Sequence, residues 1–355
     1  MKAHAPVPVS LADAPQSGAG RLIEPRQLVT GLKAVAESTR LRILVLLAAG
    51  ELNVKDLTQI LGQSQPRISR HMKLLVEAGL VERFREGSWV YFFVSDRTVA
   101  GRMAMRLIAE VDPSDPELRR DRERAEASKR EREAMAQAYF QDHAADWDRI
   151  RALHVSEGAV EGEIRAALGA GPFELLVDLG TGTGRMLELL ADRYARGIGI
   201  DASQAMLAYA RANLARHGNG RAQLRHGDLY NLTLPDGAAD AVVMHQVLHY
   251  LSEPAQAIRE ARRILAPGGQ LLIVDFAPHE HEFLRTAHAH ERLGFAAAQL
   301  EQWLIEAGLE PRPTRHLAPP RGATGDMLTV SIWQARAPAA AGPATQPTRS
   351  LEEIR

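Results

Sequence analysis

The chain contains no cysteine among its 355 residues, and this absence removes whole classes of chemistry. Disulfide bonds, thiolate zinc sites and cysteine nucleophiles all need sulfur that the chain does not have. The sequence also lacks a run of about 18 apolar residues, which a membrane-spanning helix requires. Its first residues lack the apolar core of a secretory signal. We therefore expect a cytoplasmic protein without a membrane partner.

An excess of either charge is missing as well, because 43 Lys and Arg residues stand against 44 Asp and Glu residues. A balanced total argues neither for nor against nucleic acid, so the charge has to be read segment by segment. The length is enough for about two domains. Residues 1–24 and 336–355 are rich in Ala, Pro, Gly and Ser, and we predict that both are disordered tails.

Residues 25–97 show a pattern of helices followed by a hairpin. Apolar residues at helical spacing predict a first helix, a second that Asn53 caps and Gly62 ends, and a third that runs from Ser64 to Gly79. The stretch LVERFREGSWVYFFVSD then alternates apolar and polar residues on both sides of EGS, which is a hairpin signal. This order predicts a winged helix-turn-helix, mostly α with a β-hairpin wing.

The third helix carries side chains suited to DNA on its non-core faces, since such side chains read base edges or bind phosphates when a helix enters the major groove. Residues 25–97 contain 11 Lys and Arg against 7 Asp and Glu, a basic surplus of four. The surplus favours DNA binding, and a solvated face of a protein-interaction module is the alternative. The predicted DNA-binding residues of this helix and the wing are Ser64, Gln65, Arg67, Ser69, Arg70, His71, Lys73 and Arg85.

The segments ESTRLRIL, ELNVKDLTQILGQSQPRISRHMKLLVEAGLV and REGSWVYFFV together resemble the ArsR family of bacterial dimeric repressors. The resemblance implies a homodimer on double-stranded operator DNA, with an interface formed by outer helices at about residues 26–48 and 97–110. Metal sensors of this family carry two cysteines in ELCVCDL, where this chain has Asn53 and Lys55. The usual metal site is therefore missing, and Asn53 is predicted to form a capping box with Asp56.

Residues 98–136 are predicted to form a dimerisation and linker helix. Residues 117–133 hold seven basic and six acidic residues, with opposite charges one helical turn apart in pairs such as Glu117 and Arg120. This pattern is typical of a solvated helix between domains.

Residues 137–335 alternate short apolar strands with helical patterns, which predicts an α/β domain with a Rossmann-like, seven-stranded sheet. FELLVDLGTGTGRMLELL is a strand, a glycine turn and the start of a helix, where backbone N–H groups can approach a ligand closely. Its GxGxG spacing differs from the dinucleotide fingerprint, because Arg185 stands where that fingerprint has its third glycine. The next two strands end in Asp201 and Asp228, and Asp201 is placed to bind both hydroxyls of a ribose.

This glycine turn, the two acids and a closing hairpin resemble the class I S-adenosylmethionine-dependent methyltransferases over about residues 140–335. The resemblance implies S-adenosylmethionine as cofactor, with Asp178 near its amino group, Asp201 at the ribose and Met206 near the adenine. Aromatic residues Tyr139, Phe140 and Trp147 would cover it or pack in the core. A relative that no longer binds cofactor is the alternative. The predicted cofactor-binding residues are Asp178, Gly180, Thr181, Gly182, Gly184, Asp201, Met206, Asp228 and Leu229.

Methyl transfer from a sulfonium needs an in-line nucleophile and chiefly positioning. We predict His245, Gln246 and His281 as catalytic residues, because they follow strands four and five, where a small-molecule acceptor would enter. His249 is interpreted as helix packing or capping. A cluster of four histidines fits a metal site, substrate contacts or a polar helix; we predict no metal, since HxH spacing puts neighbours on different helical faces. These four are His279, His281, His288 and His290.

Three functions fit this sequence. The chain is an enzyme and repressor that methylates a small molecule, a sensor whose cofactor shifts DNA binding without turnover, or an enzyme whose winged helix serves dimerisation. The basic third helix counts against the last, and the polar residues after strands four and five favour the first. The lack of cysteine excludes arsenite methylation through cysteine thiolates.

Overall fold

The computed structural model describes residues 23–86, 89–95, 98–147, 157–217, 219–319 and 327–339. The chain divides into two compact units, residues 1–84 with 91–124 and residues 85–90 with 125–355. The division at residue 124 falls inside the predicted linker. Nearly all of both predicted tails lies outside the described residues.

The first unit combines helices with a three-stranded sheet. Strand β1 pairs antiparallel with β3, and the strand order is β1–β3–β2. The predicted wing is therefore present as β2 and β3, although the predicted turn residues 87 and 88 lie outside the described residues. The elements are α1 Pro25–Val35, α2 Ser38–Ala49, β1 Leu52–Asn53, α3 Val54–Leu61, α4 Gln65–Glu77, β2 Glu82–Glu86, β3 Trp89–Phe93 and α5 Val99–Ala109.

The predicted first helix is in fact two helices, α1 and α2. Its apolar periodicity runs through the break, but Glu37 has an extended backbone and its carboxylate accepts a hydrogen bond from the Arg40 N–H at 2.9 Å. That bond satisfies one of the free N–H groups at the start of α2, as a helix cap does. Between residues 23 and 86, four helices therefore come before the wing, rather than three.

The predicted cap of the next helix, α3, is present. The Asp56 N–H donates to Asn53 Oδ1 at 3.0 Å, and the Asn53 N–H donates to Asp56 Oδ2 at 3.2 Å. Lys55 is exposed. The predicted capping box is confirmed.

The charged linker also differs from its prediction. It is a long helix, α6, over Pro116–His143, separated from α5. Asp121 is buried and binds both Nε and Nη2 of Arg42, at 2.6 and 2.7 Å. The start of α6, up to residue 124, therefore packs within the first unit and is not fully solvated.

The second unit contains an eight-stranded, mostly parallel sheet. Its order is β10–β11–β8–β7–β4–β5–β6, and the short strand β9 pairs with β11. The central five strands are parallel, whereas β11 runs antiparallel to β8 and β10. The strands are β4 Phe173–Leu179, β5 Tyr194–Asp201, β6 Ala222–His226, β7 Ala239–His245, β8 Leu265–Phe276, β9 Glu310–Pro311, β10 Arg315–Leu317 and β11 Val330–Arg336.

The sheet is α/β as predicted, and β9 is the one strand beyond the predicted seven. Along β4, Val177 and Leu179 join the core on one face of the sheet and Leu176 joins the core on the other. Both faces are thus covered, as in other parallel sheets. Among the described residues, the other α-helices are Glu157–Leu168, Arg185–Leu189, Gln204–Arg216, Pro254–Ile264, Phe283–Ala287 and Ala297–Glu306.

Residues 85–90 cluster with the second unit. Within that unit, the buried Glu86 carboxylate accepts hydrogen bonds from the Leu293 N–H at 2.6 Å and from Arg285 Nη2 at 2.9 Å. The Arg285 guanidinium also lies 4.2 Å from the Trp89 ring centroid. Burial raises the pKa of Glu86, and the neighbouring arginines act against that shift.

In the part of the chain that is described, no helix is long and apolar enough to cross a membrane.

Candidate functional site

A cavity of about 310 Å³ opens at the carboxyl ends of β4, β5, β6 and β7. This is where open parallel sheets bind their ligands. Of the nine residues predicted to bind the cofactor, eight line the cavity, and Gly184 does not. His245 and Gln246 also line it, whereas His281 does not. The predicted site residues that line the cavity are Asp178, Gly180, Thr181, Gly182, Asp201, Met206, Asp228, Leu229, His245 and Gln246.

The glycine turn after β4 has a left-handed backbone that favours glycine. Gly180, Gly182 and Gly184 have φ angles of 73°, 53° and 84°, a region that other residues rarely adopt. A Cβ atom on Gly180 would lie only 2.3 Å from a methyl carbon of Val247. The turn is therefore packed directly on the segment that follows β7, and no larger residue fits there.

Asp201 at the end of β5 holds this turn in place. Its Oδ2 accepts a hydrogen bond from the Gly182 N–H at 2.8 Å, and its Oδ1 accepts one from the Ser203 N–H at 2.8 Å. Burial raises the pKa of Asp201, and these backbone hydrogen bonds act against that rise. Each oxygen keeps a second lone pair, so the carboxylate can still accept both hydroxyls of a ribose.

Asp178 lies at the other end of the glycine turn. It is 1 % exposed, and Thr181 Oγ1 donates to its Oδ2 at 2.6 Å. A buried carboxylate beside a cavity favours a cationic ligand group, because the charge is poorly solvated. The structure thus fits the predicted role of Asp178 toward the amino group of the cofactor.

Met206 and Leu229 are buried beside the cavity, and Asp228 is exposed at its rim. Met206 packs in one apolar cluster with Trp147. The Asp228 carboxylate accepts a hydrogen bond from the Tyr230 N–H at 2.9 Å. Apolar surface beside polar edge atoms is what a flat heterocycle such as adenine needs.

Three interlocked aromatic rings form one wall of the cavity. Phe140 meets Tyr250 edge to face with centroids 4.7 Å apart, and it meets Trp147 in the same way at 5.3 Å. Gly182 faces Trp147 closely, since a Cβ there would lie 3.5 Å from Trp147 Nε1. Tyr139 does not line the cavity, and its hydroxyl lies 2.8 Å from His288 Nδ1.

The structure pairs His249 with Asp275, a contact that the sequence analysis missed. Their Nδ1 and Oδ1 atoms are 2.7 Å apart, and both side chains are buried. The same Oδ1 accepts a hydrogen bond from the Phe276 N–H at 2.8 Å. The His249 ring lies 4.1 Å from that of Tyr250, which lines the cavity. His249 is therefore fixed directly behind the aromatic wall.

The four clustered histidines do not converge on one point. The rings of His279 and His281 are 5.5 Å apart, and the ring of His290 packs 4.3 Å from that of His249. Burial lowers the pKa of His279 to about 4. Among the described residues, no group of three or more His, Asp or Glu side chains is arranged to hold a metal ion.

The predicted DNA-binding face of α4 is largely open to solvent. His71 is the exception: its side chain is only 12 % exposed and its Nδ1 lies 3.6 Å from Glu37 Oε2. His71 lies against the N-terminus of α2, apart from this exposed face, and its DNA-binding role stays a prediction. The predicted residues that are exposed are Ser64, Gln65, Arg67, Ser69, Arg70, Lys73 and Arg85.

The two units define a class of protein, a winged helix joined to a Rossmann-like methyltransferase domain. Residues 37–83 match the family model of the bacterial regulatory protein, arsR family, and residues 177–273 match the model of a methyltransferase domain. The chain therefore combines an ArsR-family winged helix with a domain of the S-adenosylmethionine-dependent methyltransferases.

Individual relatives match one part or the other. The arsenical resistance operon repressor of Escherichia coli is 50% identical over 64 residues, 18% of this chain and 55% of the repressor. A Mycolicibacterium smegmatis protein with the name "Probable S-adenosylmethionine-dependent methyltransferase" is 35% identical over 144 residues, 39% of this chain and 53% of that protein. The chain spans about half the length of the curated relatives that it matches first.

Solved methyltransferase structures are similar in fold to about half of this chain. An S-adenosylmethionine-dependent methyltransferase from Aquifex aeolicus is 20% identical, with a TM-score of 0.41, over 50% of this chain and 88% of that one.

Proposed function

We propose that this protein is a DNA-binding transcriptional regulator whose second unit binds S-adenosylmethionine and methylates a small molecule. The observation that carries the proposal is the single cavity lined by eight of the nine predicted cofactor residues. The glycine turn, the buried Asp178 and the rim residue Asp228 all face this one cavity, as a long cofactor with several polar groups requires.

When bound, S-adenosylmethionine supplies a methyl group on a sulfonium sulfur. The protein then has to position an acceptor in line with that group and keep water out. Asp201 would bind the ribose, while Asp178 would bind the amino group. The rings of Phe140, Trp147 and Tyr250 would exclude water from the transfer.

Exposure of the α4 side chains supports the DNA-binding part of the proposal. Arg67 and Arg70 are exposed near the N-terminal end of the helix, where a recognition helix contacts base edges and phosphates. Core contacts are made instead by Ile68, Met72 and Leu75, which are buried. The helix therefore separates an apolar inner face from a basic outer face.

Exposed apolar side chains on α1 and α5 support a homodimer. Leu28, Val29 and Leu32 on α1 are 37, 50 and 45 % exposed, and Met105 on α5 is 40 % exposed. Large apolar side chains grouped on the surface are typical of an interface. A two-fold axis would let the same helices cover each other in two copies. We place such a dimer in the cytoplasm, where operator DNA is found.

The acceptor is proposed to be an organic small molecule. One relative, from Aquipseudomonas alcaligenes, is named an arsenite methyltransferase and is 36% identical over 110 residues, 28% of this chain and 32% of that protein. Arsenite is not the acceptor we propose, because this chain has no cysteine thiolate to hold it.

Fluorescence anisotropy tests the proposal, with duplex DNA that the full chain selects from a random library. The affinity for this duplex is measured without cofactor, with S-adenosylmethionine and with S-adenosylhomocysteine, and cofactor binding is measured in parallel by calorimetry. We expect DNA binding in all three conditions and binding of both cofactor forms. A change in DNA affinity of tenfold or more without any turnover would instead favour the sensor, and absence of DNA binding would contradict the proposal.

A further inference from the structure

Gln246 is held in a backbone conformation that its side chain disfavours. Its φ angle is 50°, in the left-handed region, which costs a residue with a Cβ atom about 1 kcal/mol. The fold imposes this conformation from both sides. The Gln246 N–H donates to the Val274 carbonyl oxygen at 2.7 Å, and the next residue, Val247, packs on Gly180.

The side chain of Gln246 carries a second unfavourable feature. The residue is 7 % exposed and lines the cavity, and its Nε2 is buried without a hydrogen-bond partner among the described residues. A buried amide donor that lacks a partner costs about 1–3 kcal/mol. Packing accounts for the backbone conformation, but nothing in the described part of the fold satisfies the buried amide donor, and a ligand oxygen that accepts its hydrogen bond would offset that cost. Local strain and unsatisfied polar groups are commonly retained where a ligand binds.

The charges around the cavity limit what that ligand can be. Asp178, Asp201 and Asp228 are taken by the cofactor in the proposed function, on which this inference rests. Arg185 binds Glu161 with Nε and Nη2, at 2.7 and 2.8 Å, and its Nη1 lies 3.2 Å from Glu188. Because two carboxylates already neutralise this guanidinium, the described lining offers no arginine or lysine to an anionic acceptor.

A cationic acceptor fits no better. A cation needs an open ring face or a carboxylate that is not otherwise used. The ring of Phe140 meets Trp147 and Tyr250 nearly at right angles, so these rings pack on one another instead of forming an open box. With Leu251 beside them, they present an apolar wall.

We propose that the Gln246 amide binds the methyl acceptor, and that the acceptor is an uncharged, apolar-bodied hydroxyl compound with a second oxygen next to the hydroxyl. The Nε2 donor binds that second oxygen. It does not bind the hydroxyl oxygen, because a donor on the attacking lone pair would compete with the methyl carbon. In the transfer, this lone pair forms the new carbon–oxygen bond as the carbon–sulfur bond breaks. The electron pair of the broken bond stays on sulfur, and the hydroxyl proton passes to the imidazole of His245, which lines the same cavity.

Three phenols of nearly the same shape test the charge requirement. They are 2-hydroxybenzamide, which is neutral, 2-hydroxybenzoate, which is anionic, and 2-(aminomethyl)phenol, which carries an ammonium group. Binding to the full chain saturated with S-adenosylhomocysteine is measured by calorimetry, and methyl transfer by radiolabel from S-adenosylmethionine. We expect the neutral compound to bind at least tenfold more tightly than either charged compound.

Gln246→Leu tests the residue, with Gln59→Leu as control because Gln59 is exposed on α3 in the first unit. Gln246→Leu should weaken the binding of 2-hydroxybenzamide at least tenfold. The affinity for S-adenosylhomocysteine should stay within twofold of the wild-type value. Its Tm should not fall, since the buried donor is gone. This inference would be overturned if a charged phenol bound as tightly as 2-hydroxybenzamide, or if 2-hydroxybenzamide did not bind. It would also be overturned if Gln246→Leu bound 2-hydroxybenzamide as tightly as the wild type does. If the wild-type chain did not bind S-adenosylhomocysteine, the proposed function would be overturned instead.

Discussion

The Asp201 carboxylate accepts a hydrogen bond from the Gly182 N–H at 2.8 Å, so the acid that ends β5 fixes the glycine turn that follows β4. The two strands are parallel neighbours, with Leu179 opposite Ile200. Their carboxyl ends therefore meet at one edge of the sheet, and the turn is already shaped before any ligand arrives. A preformed site of this kind spends little binding energy on ordering its loops.

Gly180→Ala should abolish most cofactor binding. The added methyl would meet Val247 at 2.3 Å, whereas Gly268 has a similar φ of 77° but nothing within 4 Å of its Cβ position. Gly268→Ala is therefore a matched control for backbone strain alone. We expect Gly180→Ala to be less stable than Gly268→Ala by about 2 kcal/mol and to bind S-adenosylhomocysteine at least tenfold more weakly. Thermal unfolding and calorimetry measure these differences, and equal behaviour of the two variants would contradict the packing argument.

Arg67→Ala and Arg70→Ala should each weaken DNA binding. If either arginine contacts a phosphate, its removal should also reduce the slope of log affinity against log salt concentration by about one, because one fewer counterion is released. Arg196→Ala is the control, since Arg196 is exposed on β5 in the second unit. Anisotropy over a range of salt concentrations measures both effects. Unchanged affinity and slope in both variants would place the DNA contact elsewhere.

Leu32→Glu should dissociate the proposed dimer. Leu32 is 45 % exposed on α1, and a carboxylate buried in an apolar interface would leave an unpaired charge there. Ile305→Glu is the control, because Ile305 is 54 % exposed in the second unit. Light scattering after gel filtration should give twice the chain mass for the wild type and the control, and a single chain mass for Leu32→Glu. A monomeric wild type would refute the dimer.

His279 should make stability depend on pH. Its pKa in the folded chain is lowered to about 4 by burial, while an unfolded histidine titrates near 6.5. Between these values the unfolded chain binds the extra proton, so the His279 contribution to stability is complete above about pH 6.5 and is lost as the pH falls toward 4. Because the side chain is partly exposed, we expect a loss of only about 1 kcal/mol. His279→Gln should lose less stability than wild type between pH 7 and pH 5 in thermal unfolding; an identical loss would contradict the assignment.

The sequence predicted what depends on neighbouring residues along the chain. The capping box of Asn53 and Asp56 needs a spacing of three residues, and the glycine turn needs small residues at set intervals, so both are visible in one dimension. Family resemblance supplied the roles of Asp178, Asp201 and Met206, and eight of the nine cofactor residues line the cavity.

Other features depend on contacts that the sequence does not display. His249 and Asp275 meet because β7 and β8 are parallel neighbours, with His245 opposite Val274, and that register decides which side chains face each other. The inward position of His71 depends on Glu37 at the start of α2. The strain at Gln246 follows from three-dimensional packing between β7 and the glycine turn.

Calorimetry with S-adenosylhomocysteine tests whether the second unit binds the cofactor through Asp201, using the wild-type chain, Asp201→Ala and Asp192→Ala. Asp192 is a control because it is an exposed carboxylate paired with Arg165. We expect one bound molecule per chain for the wild type and Asp192→Ala. For Asp201→Ala we expect an affinity at least tenfold lower, which corresponds to about 1.4 kcal/mol. A flat titration of the wild type, or equal affinity in all three proteins, would contradict this prediction.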